Sequence, residues 1–113
     1  MEQHLLALLD YHEVLSVVAT TVDGLVVATA GLDGDDAELV AASGSALAQL
    51  MRRRGERSGR IDVPGGALHV VVGDELMLVA LTEDAAPEAR LVEVMSDALA
   101  RLTGTLRDGD AAR

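Results

Sequence analysis

The sequence predicts a small α+β sandwich, and its opening hairpin is the strongest of three observations behind this prediction. Val22-Asp23-Gly24 separates two strand-like runs, Leu15–Thr21 and Leu25–Thr29, and Asp-Gly between such runs is a strong hairpin signal. A short helix precedes the hairpin and a long alanine-rich helix follows it. Three further strand-like runs and a last helix complete the chain, so the predicted order is α-β-β-α-β-β-β-α.

The first helix is predicted over Met1–Asp10 and the second over Asp36–Arg54. Asp35 is the predicted N-cap of the second helix, because Glu38 three residues later completes a capping box. Gly44 in its interior costs about 1 kcal/mol relative to alanine, which is tolerable if another backbone packs there. This is a first indication of self-association. The spacing of five residues predicts that they share one face of this second helix: Leu39, Ser43, Ala46, Leu47 and Leu50.

The second half of the chain predicts a three-stranded meander over Gly59–Val63, Ala67–Val72 and Leu76–Thr82. Leu76–Leu81 and Leu15–Ala19 are apolar on both faces, which is typical of central strands covered by helices. Arg60–Val63 alternates polar and apolar residues and predicts an edge strand. His69 is predicted to lie at a surface or interface.

The last helix is predicted to begin near Asp84, with Pro87 in its first turn. Asp108–Arg113 is predicted to be a short flexible tail after a single domain over residues 1–107. The buried face of this helix is predicted to carry Leu91, Met95, Ala98, Leu99, Leu102 and Leu106.

Composition excludes several classes of function. The chain has 113 residues, a formal charge of −10, no Cys, and only Arg among its nine basic residues. The negative charge disfavours nucleic acid and anionic lipid as partners. Without Lys there is no Schiff base and no phosphate-binding P-loop lysine. An acidic N-terminus and the absence of a long apolar segment predict a cytoplasmic protein with no membrane insertion.

No motif indicates catalysis, a cofactor or a metal, so the prediction is a protein that is not an enzyme. Ser43, His69 and Asp97 would form a triad only by arbitrary choice, and the acidic run Asp33–Asp36 is explained by helix capping rather than calcium binding. Two explanations remain open for Arg52–Arg54: charges that complement the helix dipole, which we favour, or a patch for an acidic or phosphate-bearing partner.

The whole pattern resembles the Roadblock / dynein light-chain family, over about residues 2–106. The resemblance is carried by Asp23-Gly24-Leu25 at the turn, the small residues of Ala41–Ala48, and the runs Gly66–Val71 and Leu76–Val79. It implies a five-stranded antiparallel sheet, with the second helix on one face and the first and last helices on the other.

The resemblance also implies a homodimer, formed by pairing the third strands and the second helices. Bacterial members of the MglB type act with a small Ras-like GTPase of the MglA type, which makes a non-catalytic GTPase regulator our leading hypothesis. The alternatives are a scaffold or motor-complex adaptor without effect on hydrolysis, and a ligand-sensing domain. The predicted dimer interface is Ala41, Gly44, Ser45, Ala48, Arg60, Ile61, Asp62 and Val63. The predicted partner-binding residues are Glu38, Ala42, Ser45, Gln49, Arg52 and Arg53.

Overall fold

The computed structural model describes residues 2–10, 14–83 and 88–111. Five strands form one antiparallel sheet in the order β2-β1-β5-β4-β3. The predicted α+β sandwich and its order of elements are confirmed. In chain order the elements are α1 (Glu2–Leu8), β1 (Val14–Thr21), β2 (Val26–Ala30), α2 (Gly34–Arg53), β3 (Ser58–Val63), β4 (Gly66–Val72), β5 (Leu76–Thr82) and α3 (Glu88–Ala111).

The helices divide between the two faces of the sheet as the resemblance implies. α2 crosses one face and contacts all five strands, whereas α1 and α3 pack together on the other. Successive side chains of a strand point to opposite faces, so each interior strand contributes to two hydrophobic layers. Leu78 and Ala80 of β5 pack with α1 and α3, and Met77 and Val79 pack beneath α2.

Strand position explains strand composition. β1 and β5 each lie between two other strands, so the prediction that these apolar runs are central is confirmed. β4 is buried along its whole length. The prediction that Arg60–Val63 forms an edge strand is also confirmed, because β3 pairs only with β4. The other edge of the sheet is β2.

The predicted hairpin turn lies where expected. Gly24 has a φ of +97°, a conformation that glycine adopts at no steric cost. The Thr21 N–H donates to the Leu25 carbonyl over 2.9 Å, and the Gly24 N–H donates to the Thr21 carbonyl over 3.0 Å. The strand β2 begins at Val26, one residue later than predicted.

The N-cap of α2 is Asp33, which corrects the prediction of Asp35. Asp33 has extended backbone, and its Oδ1 accepts a hydrogen bond of 3.0 Å from the Asp36 N–H. The first intrahelical bond also starts there, from the Ala37 N–H to the Asp33 carbonyl over 2.9 Å. The helix consequently begins at Gly34, and Asp35 and Asp36 lie in its first turn, where acidic charge is favourable.

His69 is buried, so its predicted place at a surface or interface was wrong. It is 1% exposed in β4, opposite Ala80 of β5 and thus on the sheet face that α1 and α3 cover. Its Nε2 lies 3.1 Å from Oγ1 of the buried Thr82. One ring nitrogen of this buried imidazole therefore has a polar partner thirteen residues away in the sequence.

α3 buries the face that the sequence predicts, as far as its side chains are described. Met95 and Leu102 are fully buried, whereas Glu93, Asp97 and Arg101 are exposed. The helix continues through Ala111, so residues 108–111 are helical where we expected a flexible tail. The domain boundary at residue 107 stays a prediction. The Leu106 side chain, the start at Asp84, Pro87 and residues 112–113 lie outside the described structure.

Candidate functional site

The exposed face of α2 carries large apolar side chains. Leu39 is 68% exposed and Leu50 is 55% exposed, and Ala46 between them is also exposed. This is the helix face that the spacing of these residues identifies in the sequence. We call it the outer stripe, and it consists of Leu39, Ser43, Ala46, Leu47 and Leu50.

The opposite face of α2 is the one that packs on the sheet, and its buried residues are small except for Met51 in the last turns of the helix. Ala41 is fully buried, and a Cβ added to Gly44 would lie 2.4 Å from Cγ2 of Val79. Small side chains let the helix axis come close to the strands, which explains why this face and not the leucine-containing one is buried.

This packing is inconsistent with the part of the predicted dimer interface that lies on α2. Ala41, Gly44, Ser45 and Ala48 are all buried against the chain's own fold, so they are not available to a second copy. Gly44 is crowded by the Val79 side chain of the same chain, rather than by the backbone of another. The sequence does contain a signal for the exposed face. The helix has two apolar faces, and only the face with the smaller residues can approach the sheet, so the leucine-containing face is left exposed.

The outer stripe borders the free edge of the sheet. Leu47, Leu50 and Met51 line a shallow hollow of about 170 Å³ together with Gly59 and Arg60 of β3. Along that edge Ile61 is 39% exposed. The predicted interface residues of β3, namely Arg60, Ile61, Asp62 and Val63, are therefore at an accessible edge, and their role in a dimer stays a prediction.

Charged groups flank the edge. The Arg60 Nε donates to Oδ1 of Asp62 over 2.9 Å, and Nη1 of Arg57 lies 3.5 Å from Oδ1 of Asp74. Five of the nine arginines fall between residues 52 and 60, which makes this end of α2 basic in an acidic protein. Arg52 and Arg53 occupy the last turn of the helix, where positive charge complements the dipole.

Five of the six predicted partner-binding residues are exposed on α2. The exception is Ser45, which is 9% exposed and faces Gly24 of the hairpin. It therefore belongs to the intrachain packing of α2 and not to an accessible surface. The exposed five are Glu38, Ala42, Gln49, Arg52 and Arg53.

The described residues contain no assembled catalytic or metal centre. Ser43 lies on α2 and donates its hydroxyl to the Leu39 carbonyl over 3.1 Å, whereas His69 lies on the opposite sheet face and Asp97 is exposed on α3. The three side chains therefore do not form a catalytic triad. Within 2–10, 14–83 and 88–111, no three His, Asp or Glu residues are grouped as metal ligands.

A groove of about 550 Å³ lies between α3 and the ends of β3 and β4. Val71, Val92 and Leu99 give it apolar walls, and Arg57 and Asp74 add charged groups. These two charged groups already pair with each other. The groove contains no convergent set of buried polar groups of the kind that fixes a small ligand.

Fold and surface together define the class: a small α+β sandwich that presents an exposed helix face beside an open sheet edge. The model of the Roadblock/LC7 domain family matches residues 1–86. The chain therefore belongs to the Roadblock/LC7 domain family, whose members are generally non-enzymatic regulators. No curated protein sequence matches the chain.

Solved structures agree with this assignment. A Roadblock/LC7 domain from Streptomyces avermitilis superposes with a TM-score of 0.86 at 26% identity, covering 95% of this chain and 98% of that one. A second such domain from the same organism is 32% identical, with a TM-score of 0.74 over 88% of this chain and 95% of its own. Myxococcus xanthus MglB shares the fold, with a TM-score of 0.72 at 16% identity over 95% and 94% of the two chains.

Among the described residues, none of the three helices combines the length and the apolar character that crossing a bilayer requires.

Proposed function

We propose that this protein is a non-catalytic, homodimeric regulator of a small Ras-like GTPase of the MglA type, acting in the cytoplasm. The observation that carries the proposal is the continuity of the outer stripe of α2 with the free edge of β3. Membership of the Roadblock/LC7 family and the fold shared with MglB support it. A scaffold that binds such a complex without affecting hydrolysis is the alternative.

The proposed dimer joins the β3 strands of two copies. Strand pairing would satisfy the open backbone groups of this edge. The outer stripe would be covered in the same contact, because it borders β3. Two of the exposed large apolar side chains, Leu50 and Ile61, then become buried, which gives the hydrophobic contribution to association.

The proposed GTPase contact lies on five other exposed residues of α2, namely Glu38, Ala42, Gln49, Arg52 and Arg53. The reaction itself would take place in the GTPase, whose switch loops this surface holds in a productive geometry. We do not propose that any arginine of this protein acts as an arginine finger in the GTPase active site. If Arg53→Ala still bound the GTPase but no longer stimulated GTP hydrolysis, this view would be wrong.

The first experiment is capture from the native lysate with the tagged protein, in the presence of a non-hydrolysable GTP analogue or of GDP. A small GTPase that is retained only with one nucleotide supports the regulator. A partner retained equally with both supports the scaffold. The captured GTPase is then assayed for its hydrolysis rate with and without this protein.

Two matched variants test the surface. Ala42→Arg adds a large cation to the proposed contact and is expected to abolish capture, whereas Ala100→Arg makes the same change at an exposed position on α3, across the sheet, and is expected to retain it. Equal capture by both variants would exclude this face of α2 as the GTPase contact.

A further inference from the structure

The β2 edge of the sheet is open, and the proposed dimer does not use it. Among the described strands, β2 (Val26–Ala30) pairs only with β1, so the backbone groups on its outer side have no partner strand. Edge strands that must avoid pairing commonly carry a charge or a proline. No charged residue and no proline occurs between Leu25 and Leu32. The edge is therefore open to pairing with another extended chain.

Apolar side chains are exposed along the β1–β2 hairpin. Seven large hydrophobic residues are exposed in the described part of the chain, and three of them belong to α2 or β3. The other four lie on α1 and the hairpin: Leu6, Leu15, Leu25 and Val27. Leu25 is 70% exposed immediately before β2, and Val27 is 39% exposed within it. Burial of these side chains would favour the association of a partner with this edge.

Charge distinguishes this edge from the β3 edge. Residues 1–51 include eight acidic residues and no Lys or Arg, whereas residues 52–113 include eleven acidic residues and all nine arginines. The first segment forms α1, β1, β2 and most of α2, so the β2 end of the sheet is strongly acidic. The β3 edge instead follows the arginine-rich end of α2. Electrostatic complementarity therefore favours β2 over β3 for a basic partner.

Acidic side chains lie at both ends of β2. Asp23 is exposed in the turn that precedes the strand, and three further acids are exposed where α2 begins, shortly after the strand ends: Asp33, Asp35 and Asp36. None of the four forms an ion pair with another described residue. Their charges are therefore available to a partner that lies along β2.

The positions of these acids disfavour a second copy of this chain as the partner. If two β2 strands paired in antiparallel orientation, the Asp23 end of each strand would lie beside the Asp33 end of the other. If they paired in parallel, each acid would lie beside its own equivalent. Like charges meet in both cases, which destabilises the contact. The partner that fits is a different chain with basic residues at these two places.

A β-bulge limits the length of chain that can pair here. The register between β1 and β2 shifts between Ala19 and Thr20, and Val27 has no partner on β1. Bulges interrupt the regular edge that the pairing of long strands requires. Regular register holds from Ala28 to Ala30, so we expect a short partner segment, no longer than the five residues of β2.

We propose that the β2 edge binds an extended segment of a partner protein whose short apolar centre is flanked by basic residues. The backbone of that segment would add a strand to the sheet beside β2. Its apolar side chains would cover Leu25 and Val27, and its basic residues would pair with Asp23 at one end and with the acids at the start of α2 at the other. The site uses none of the residues of the proposed GTPase contact and does not depend on the homodimer.

Synthetic peptides test the chemistry of the partner. The probe is a fluorescently labelled peptide with alternating valine and threonine over the length of β2 and one Lys-Arg pair at each end. One control peptide has glutamates in place of the basic residues. The other keeps the basic residues but has a central proline, which removes a backbone donor. Fluorescence anisotropy at low ionic strength should show that each control binds at least about tenfold more weakly than the probe.

Three outcomes of the peptide experiment would overturn the proposal. The first is a probe that does not bind. The second is equal binding of the proline peptide, which would indicate charge attraction without strand addition. The third is equal binding of the glutamate peptide, which would remove the role of the acidic residues.

Matched substitutions locate the site. Val27→Lys places a cation on β2 and is expected to weaken binding of the probe at least about tenfold, because a lysine protects an edge and repels a basic peptide. Ile61→Lys makes the same change at equal exposure on β3 and should bind like the wild type. Asp23→Asn keeps a residue suited to the turn and should weaken binding about twofold to fivefold. Loss of binding in Ile61→Lys with retention in Val27→Lys would place the peptide at β3 and overturn the proposal.

Amide hydrogen exchange gives a readout that is independent of these variants. The bound probe should slow exchange in β2 and leave exchange in β3 unchanged, because only amides at the pairing edge gain a hydrogen-bond partner. Slower exchange in β3 alone would overturn the proposal. A second copy as the occupant would also overturn it, and light scattering would then show a lower mass for Val27→Lys than for the wild type without any peptide.

Discussion

Gly44 shows how one residue positions the main helix. Glycine is unfavourable in a helix interior, yet here a Cβ would lie 2.4 Å from Cγ2 of Val79 and 3.2 Å from its Cγ1. The missing side chain is what allows α2 to lie close to β5. Gly104 in α3 provides the contrast, because the space around its Cβ position is open to 4 Å.

The same substitution should therefore have opposite effects at these two positions. Gly44→Ala is expected to lower the free energy of unfolding by up to about 2 kcal/mol, because overpacking costs about 1–3 kcal/mol and the gain in helix propensity offsets about 1 kcal/mol of it. Gly104→Ala is expected to raise it by up to about 1 kcal/mol. Urea denaturation measures both. Stabilisation by Gly44→Ala would contradict the close packing of α2 on Val79.

At the scale of elements, the sheet has two edges with different surroundings. β2 and β3 both pair on one side only, and each presents an apolar side chain that is 39% exposed, Val27 on β2 and Ile61 on β3. The β3 edge adjoins the outer stripe of α2, whereas β2 contributes no residue to the hollow beside that stripe. This difference is why we place the dimer contact at β3.

Matched substitutions distinguish the two edges. Ile61→Asp is expected to weaken dimerisation by at least about tenfold, since a buried unpaired carboxylate at the contact is costly. Val27→Asp introduces the same charge at equal exposure and is expected to leave the dimer intact. Light scattering across a dilution series compares them. If Val27→Asp lost the dimer and Ile61→Asp kept it, the dimer contact would lie at the β2 edge instead.

For the whole molecule, dimerisation links stability to concentration. When association accompanies folding, the apparent Tm rises with protein concentration by mass action. A hundredfold increase in concentration is expected to raise the Tm of the wild-type protein by about 5 °C, and to leave that of Ile61→Asp nearly unchanged. Calorimetry or circular dichroism measures the shift. A wild-type Tm that is independent of concentration would argue for a folded monomer.

Local sequence determined the elements of this protein. Asp23-Gly24 predicted the hairpin, and Leu76–Thr82 was predicted with the bounds that the structure has. Turn chemistry and apolar periodicity act over a few residues, so they can be recognised in one chain. The edge position of Arg60–Val63 followed for the same reason, because a strand covered on one side alternates.

Tertiary structure decided which face of α2 is buried and where His69 lies. The helix has two apolar faces, and we expected the one with small residues, Ala41–Ala48, to lie at a dimer interface. The sheet selected the smaller one, because only small residues permit close contact with β5. His69 is buried on the face that α1 and α3 cover, where its Nε2 lies beside Thr82 of the neighbouring strand. Both outcomes depend on shape and contacts between distant segments, which local patterns do not contain.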